Sequence, residues 1–408
     1  PRLLVFLKNG FKMKINLSIF LEYLFALFLI LDGFSVYMTP QSNRVLFTSL
    51  SLGVLILMNI FSPKSRVKSS LIPYVLSFLA LIYFLQDIKD IVLGSVLFVL
   101  GLPLLINYIW KCRLSKHSFS VLYRIENLVF FFTISSIILW LLGPIFDIIS
   151  PNMHFDGSWG AWTYKEKSVP GYYGLLFLTQ IEDGTFFSNE IWRNTSIFAE
   201  GPMFNLWLCI AFSINLFLRE TYSRKRVIIY IVGVLSTFSS TGFIYLSIIG
   251  IYFFARTGAL ARFNKNAFLK YFMILFGLLL SYLLVKSILS QKADSVSYLI
   301  RMNEYTTAIS SFMSNPLFGV GYKSCSEFNF GMSNSLLSLL GGGGIWLFSI
   351  IYYPIICFLI KIKVVDFRIL GIVISFLILT FSTNFYTQFV IILFPAFLYS
   401  LLIKKSYE

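Results

Sequence analysis

Histidine, cysteine and carboxylates are all scarce in this sequence: 408 residues hold 2 His, 4 Cys and 18 Asp plus Glu. His117 and His154 sit in different polar stretches, which argues against a histidine-rich metal site. Cys112, Cys209, Cys325 and Cys357 are scattered, two of them inside apolar runs, so neither a disulfide framework nor a CxxC metal motif emerges. Charged residues make up only 12% of the chain against 57% hydrophobic ones. An average soluble domain carries roughly 25% charge, and a water-soluble fold cannot hide this much apolar surface. Runs near or above the ~18–20 residues needed to cross ~30 Å of hydrocarbon recur throughout, so the solvent is a bilayer.

What is abundant is basic charge, with a formal net of +15. It does not point to nucleic acid, because Lys and Arg cluster in short stretches between apolar runs, as membrane topology requires. Apolar segments fall at about 15–38, 45–61, 71–86, 91–110, 125–149, 202–218, 227–254, 271–289, 335–360 and 369–402. Stretches 1–14, 62–70, 111–124, 219–226, 255–270, 361–368 and 403–408 hold 24 of the 33 Lys plus Arg. The positive-inside rule assigns these to the cytoplasm.

Segments 227–254 and 369–402 have basic stretches at both ends, so each should rise and return. Ser239-Ser240-Thr241-Gly242 lies near the middle of the first and Ser382-Thr383-Asn384 inside the second. Such residues weaken a helix through local hydrogen bonding or flexible backbone, and both segments read as helical hairpins. One long tilted helix at 227–254 is the alternative, but it would invert every later loop.

The expected fold is therefore all-α: one integral membrane domain over residues 1–408, a polytopic bundle of about 12 membrane helices including two hairpins. Both termini lie in the cytoplasm, and two long exterior loops cover about 150–201 and 290–334. Met13 followed by Lys14 resembles a translation start, which makes residues 1–12 an upstream extension. Segment 15–38 is too long for a signal-peptide core and reads as a retained first helix. No internal repeat is evident. Both exterior loops mix aromatics, Gly, Pro and charge with little low complexity, which predicts order.

The first loop ends in Arg193-Asn194-Thr195-Ser196-Ile197-Phe198-Ala199-Glu200-Gly201-Pro202, just before an apolar helix. Arg193 and Glu200 can anchor an anionic headgroup and supply a general base. Alternatively, Arg193 snorkels toward lipid phosphate while Glu200 complements a helix dipole. In the second loop a surface helix is predicted over 295–313, with Arg301 and Tyr305 four apart on one face and Asn315-Pro316 ending it. Arg301 and Glu304 also fit a simple surface ion pair. The first helix carries Glu22, deep enough to need a partner, and Asp32, near enough to the outer end to reach water; structural roles suit both. Gly341 to Gly344 inside an apolar helix permit close packing or local unwinding. Trp159, Trp162, Tyr164, Tyr172 and Tyr173 suit either sugar stacking or an interfacial belt.

Arg301, then Asn315-Pro316-Leu317-Phe318-Gly319-Val320-Gly321, then Ser333-Asn334-Ser335-Leu336-Leu337 before a Gly-rich helix, resembles the Wzy-type O-antigen and capsular polysaccharide polymerases and the related O-antigen ligases. Arg193 to Pro202 and the Ser-Ser-Thr-Gly break look like corresponding family segments. The resemblance implies a metal-independent, cofactor-free C-type glycosyltransferase of the bacterial cytoplasmic membrane. It would polymerise undecaprenyl-diphosphate-linked oligosaccharide units, with lipid and a chain-length regulator as further partners and no nucleic acid. Arg193 and Arg301 would converge on the diphosphate, with Tyr305, Tyr322 and Asn334 binding substrate. Ligase relatives commonly carry a His before the Asn that matches Asn334; this chain has Ser333, which tilts the resemblance toward polymerase. The base then falls to Glu200, with Glu304, Glu327 and His154 behind it. An O-antigen ligase, a lipid-linked oligosaccharide flippase and a non-catalytic assembly factor are the rival readings. High Phe, Ile, Lys and Asn usage suggests an AT-rich bacterial genome.

Overall fold

The computed structural model describes residues 2–38, 41–62, 71–86, 93–114, 119–156, 168–182, 191–256, 296–322, 334–361 and 366–403. Segment 271–289, expected to be a membrane helix, lies outside them, as do Trp159, Trp162, Tyr164, Glu327 and Ser333. The helices are α1 (Arg2–Asp32), α2 (Gln41–Phe61), α3 (Ile72–Gln86), α4 (Leu93–Val96), α5 (Leu102–Leu114), α6 (Ser120–Trp140), α7 (Gly201–Ser213), α8 (Arg224–Ser236), α9 (Ser240–Arg256), α10 (Val296–Ser314), α11 (Ser335–Ile360), α12 (Phe367–Ser382) and α13 (Leu393–Leu402). Single π-helical turns join α4 to α5 and extend α6 and α7. Among the described residues, five continuous helical stretches are long and apolar enough to cross a membrane: Asn43–Phe61, Gly94–Leu114, Ser120–Ile145, Gly201–Leu218 and Ser335–Ile360. Several shorter apolar helices accompany them.

α7 is the axis of the bundle. From Met203 to Ser213 every residue is buried, with Phe204, Leu206, Trp207 and Leu208 wholly enclosed. A helix apolar on all faces must be surrounded by others, and α6, α8, α9 and α12 pack around this one.

The two expected hairpins are present. Phe212 of α7 meets Tyr230 of α8 at 6.4 Å and Tyr245 of α9 at 6.2 Å between ring centroids. A straight helix would hold those tyrosines about 22 Å apart, so the chain reverses between them, at Thr237–Ser239. Phe238 turns there in a left-handed conformation, φ 48°. Likewise Phe376 of α12 and Phe394 of α13 meet at 6.1 Å, although a straight helix would separate them by about 27 Å.

The all-α expectation needs correction in the 150–201 loop. It is ordered there as short antiparallel strands: β1 (Met153–Asp156), β2 (Ser168–Tyr172) and β3 (Leu176–Phe177) in one sheet, β4 (Ile181–Glu182) and β5 (Ile191–Trp192) in another. The strands are two to five residues long, too brief for period-2 patterning to signal them among Gly, Pro and aromatic residues. Their apolar side chains still form a small core, in which Val36, Val169 and Phe177 are fully buried.

Charge divides the bundle into two ends. At the basic end, buried Glu126 accepts from Arg226 Nη1 at 2.6 Å, from Arg219 and from Tyr230 Oη at 2.8 Å. Glu22 has the partner that its depth requires: Arg124 at 3.3 Å, with Tyr108 Oη donating at 2.6 Å and Ser120 also bonded. The sheets lie at the opposite end, where Trp140 Nε1 at the end of α6 donates to Trp192 O of β5 at 2.7 Å. Asp32 is also at that end, but it does not reach water. It is 2% exposed and accepts from Thr48 Oγ1 at 2.7 Å and Phe389 N at 3.1 Å.

The Gly run in α11 and the Asn315–Gly321 motif are one unit. Val320 N and Gly321 N donate to Gly341 O and Gly342 O, while Ile345 N and Trp346 N donate to Pro316 O and Leu317 O, all at 2.9–3.0 Å. α11 unwinds at Gly344, φ 58°, where a Cβ would lie 2.5 Å from Leu317 backbone. A Cβ on Gly319, φ 70°, would lie 2.5 Å from Gly342 C. Only glycine allows this backbone-to-backbone approach at such dihedrals.

Gly344→Ala is therefore expected to destabilise the purified protein by more than the ~1–2 kcal/mol of a left-handed non-glycine residue, read as a lower melting temperature in detergent; an unchanged melt would refute the zipper. Glu126→Gln should cost on the order of 3 kcal/mol, the low end for breaking a buried pair because both arginines are about a quarter exposed. The same melt checks it.

Candidate functional site

Arg193 leaves β5 with its N–H on Gln180 O at 3.0 Å, and the next residue fastens the loop into the bundle. Asn194 is completely buried. Its N–H donates to Ser236 O at 3.0 Å, and its Nδ2 to Ser236 Oγ at 3.1 Å and Ser136 Oγ at 3.3 Å. Its Oδ1 accepts from Ser196 N at 3.2 Å, closing a local turn with Ser196 at φ 50°. Thr195 Oγ1 donates to Phe177 O. Three consecutive polar residues thus tie the loop to α6, α8 and β3, and Asn194, Thr195 and Ser196 hold Arg193 in place.

The chain then runs antiparallel to the end of α1. Val36 N donates to Ile197 O at 2.8 Å and Ala199 N to Phe34 O at 2.9 Å. Glu200 is extended at the N-terminal edge of α7, and its carbonyl accepts from Met203 N and Phe204 N. Gly201 N donates to Gln180 Oε1 at 2.9 Å. A Cβ on Gly201 would stand 3.0 Å from Thr237 O, 3.5 Å from Gln180 Oε1 and 3.7 Å from Arg193 Cδ. The Arg193 stem, Gln180, the start of α7 and the turn at Thr237–Ser239 are therefore one assembly. Arg193 and Glu200 are both half-buried. The Arg193 stem thus lies beside the positive end of the α7 dipole, and an arginine and a helix N-terminus each favour an anion.

A second assembly forms at the other hairpin turn. Asn334, 2% exposed, caps α11 by accepting from Leu337 N at 2.8 Å. Ser335 accepts from Phe385 N at 2.7 Å and donates to Thr383 O at 2.9 Å. Tyr322 is buried against Phe84, Phe98 and Tyr386, and its hydroxyl donates to Tyr386 O at 3.1 Å. The two assemblies meet at the end of α1, because Phe34–Val36 pair with Ile197–Ala199 while Asp32 accepts from Phe389 N.

α10, expected over 295–313, spans Val296–Ser314 and packs on α11. Tyr305 is half-buried there and Glu304 is buried rather than on the surface. The Arg301 backbone belongs to α10, but its side chain lies outside the described residues, and with it the expected convergence with Arg193. His154 is exposed on β1, Tyr172 buried and Tyr173 exposed. The described residues hold no group of three or more His, Cys, Asp or Glu able to bind a metal.

Sequence reasoning missed Gln180, Asn194 and Ser236, which position Arg193. Asn194 could have been noticed as an amide bordering the arginine, whereas Gln180 gave no local signal. No family model matches the chain, and neither does any curated protein or solved structure.

Proposed function

We propose that this chain is a membrane glycosyltransferase that polymerises lipid-diphosphate-linked oligosaccharide units, of the Wzy type that its motifs resemble. The observation that carries the reading is Arg193: an arginine whose stem packs at the start of α7, its backbone fixed through Asn194, beside a helical turn at one end of an apolar bundle. A lipid diphosphate reaches such a place with its tail in hydrocarbon and its charge at the bundle end. Departure of that diphosphate from the sugar builds negative charge, which a preorganised cation and helix dipole stabilise. Arginine suits the role because its planar fork binds two phosphate oxygens and never loses its proton.

In this reading Arg301 on α10 is the second diphosphate ligand, and Glu200 takes the proton from the acceptor hydroxyl. Tyr305 contributes to the substrate surface. Asn334 and Tyr322 then serve the site indirectly, since the Asn334 oxygen caps α11 and the Tyr322 hydroxyl holds the second turn. In this reading the chain crosses the membrane about twelve times, as its apolar segments and basic punctuation predict, with both termini in the cytoplasm. The positive-inside rule then puts the sheet end outside the bacterial cytoplasmic membrane.

A flippase is the second reading, favoured by the unwound backbone at Gly344 and the turns at Thr237–Ser239 and Thr383–Gln388, since broken helices also line transporter sites. The variants separate the two. Arg193→Ala and Arg301→Ala should each lower the rate of polymer formation by about 10²–10³-fold, at normal protein abundance and with single units still reaching the outer leaflet. Arg→Lys should rescue poorly, because a point charge does not replace a bidentate fork. A normal glycan ladder from both alanine variants would sink the site. Glu200→Gln should slow chain growth near neutral pH by about 10²-fold or more, the usual contribution of a general base; full activity there would assign the proton to another group.

A further inference from the structure

Two arginines at the basic end share one carboxylate. Arg219 Nη2 and Arg226 Nη1 both donate to Glu126 Oε2, and both also donate to Asn127 Oδ1, at 3.1 and 2.8 Å. Two guanidinium groups with two acceptors in common stand side by side. Each lies over an aromatic ring of α6, Arg219 5.1 Å from the Tyr123 centroid and Arg226 4.5 Å from that of Phe130. Rings and acceptors together fix both forks, and two cations over one buried carboxylate leave one positive charge in excess.

The inner edges of the forks are occupied and the outer edges are not. Arg219 Nε also donates to Glu126, at 3.0 Å, which leaves Arg219 Nη1 and Arg226 Nε and Nη2 without a partner among the described residues. These atoms reach the surface: the two side chains are 26% and 24% exposed, and none of the three atoms is buried. Glu220, next in the chain, is exposed and makes no ion pair among the described residues, while Arg224 and Lys225 add two exposed cations. An apolar surface continues from the pair toward the middle of the bundle. Phe131, one turn beyond Asn127 on α6, is 53% exposed, and Ile228, one turn beyond Arg224 on α8, is 61% exposed.

We propose that Arg219 and Arg226 bind the phosphate of an anionic phospholipid in the leaflet at the basic end, with its acyl chains along Phe131 and Ile228. Arginine stays protonated, and its fork takes phosphate oxygens in pairs. One excess positive charge matches the single negative charge of a phosphodiester. A soluble phosphate would leave the apolar surface unused, whereas a lipid at this end uses both parts of the site. The positive-inside rule makes that leaflet the cytoplasmic one. Arg219 ends the π-helical extension of α7, so the lipid joins the axial helix to α6 and α8 where all three meet at Glu126. Such a site stands whether or not the chain is a polymerase.

The test offers phosphatidylglycerol or phosphatidylcholine to the full chain in neutral detergent and counts retained lipid by native mass spectrometry. Wild type should hold phosphatidylglycerol about tenfold more tightly or better, the worth of one hydrogen bond between charged groups. Glu126→Gln/Arg226→Gln keeps one net positive charge but has lost a fork, and the preference should vanish. If that double variant does not fold, Arg226→Lys keeps the pair with Glu126 without the fork and should weaken the preference. Arg224→Gln/Lys225→Gln should leave it in place. Equal retention of the two lipids by wild type would overturn the site, as would a preference that survives loss of the fork or one that disappears with Arg224 and Lys225 alone. Inorganic phosphate that raises the melting temperature as much as phosphatidylglycerol does would make the ligand a soluble anion and overturn the lipid assignment.

Discussion

A backbone that leaves the helix inside hydrocarbon must find its hydrogen bonds within the protein, and that constraint organises everything of interest here. The chain interrupts its helices at Thr237–Ser239, Gly344 and Thr383–Gln388, and each interruption is met by a specific partner. Asn194 bonds the end of α8, the Pro316–Gly321 backbone zips onto the unwound α11, and Ser335 brackets Thr383 and Phe385. Two of these partners come from the loops expected to carry function, and Ser335 opens α11 just after the second loop. Loops that must satisfy broken helices are held rigidly, and rigid loops can hold reactive side chains in place.

The same constraint explains the division of labour between the ends of the bundle. At the basic end, among the described residues, the buried carboxylates are closed on arginines, Glu22 with Arg124 and Glu126 with Arg219 and Arg226. At the sheet end, among the described residues, the Gln388 side-chain amide lies buried without bonds, and the Arg193 stem packs beside the start of α7. The proposed reading accordingly places its site at the sheet end.

Much of the architecture was legible in the sequence because hydrophobic length and basic punctuation are local, additive signals. Both returns could be found because a rule about charge forced each segment to turn back; residue chemistry placed the second at Ser382–Asn384 but the first at Ser239–Gly242, whose last three residues instead begin α9 just after the turn at Thr237–Ser239. The strands of the first loop were not legible, being fixed by pairing such as Met153 with Gly171 rather than by any run of their own. Nor was the joining of Asn315–Gly321 to Gly341–Gly344, two glycine-bearing motifs read separately, because close approach of two backbones leaves no pattern within either. Arg193 and Glu200 stood out by residue type beside an apolar helix. Asp32 was misjudged, since depth along α1 does not reveal that Thr48 and Phe389 cover it.

The most direct measurement is of the lipid-linked intermediates and the surface glycan after deletion of the gene, with leaflet assigned by accessibility to a membrane-impermeant enzyme. The account predicts single repeat units on undecaprenyl diphosphate in the outer leaflet and no long ladder. Long polymer stranded on the lipid carrier would instead mean a ligase, and single units confined to the inner leaflet would mean a flippase, contradicting the role given to both arginines.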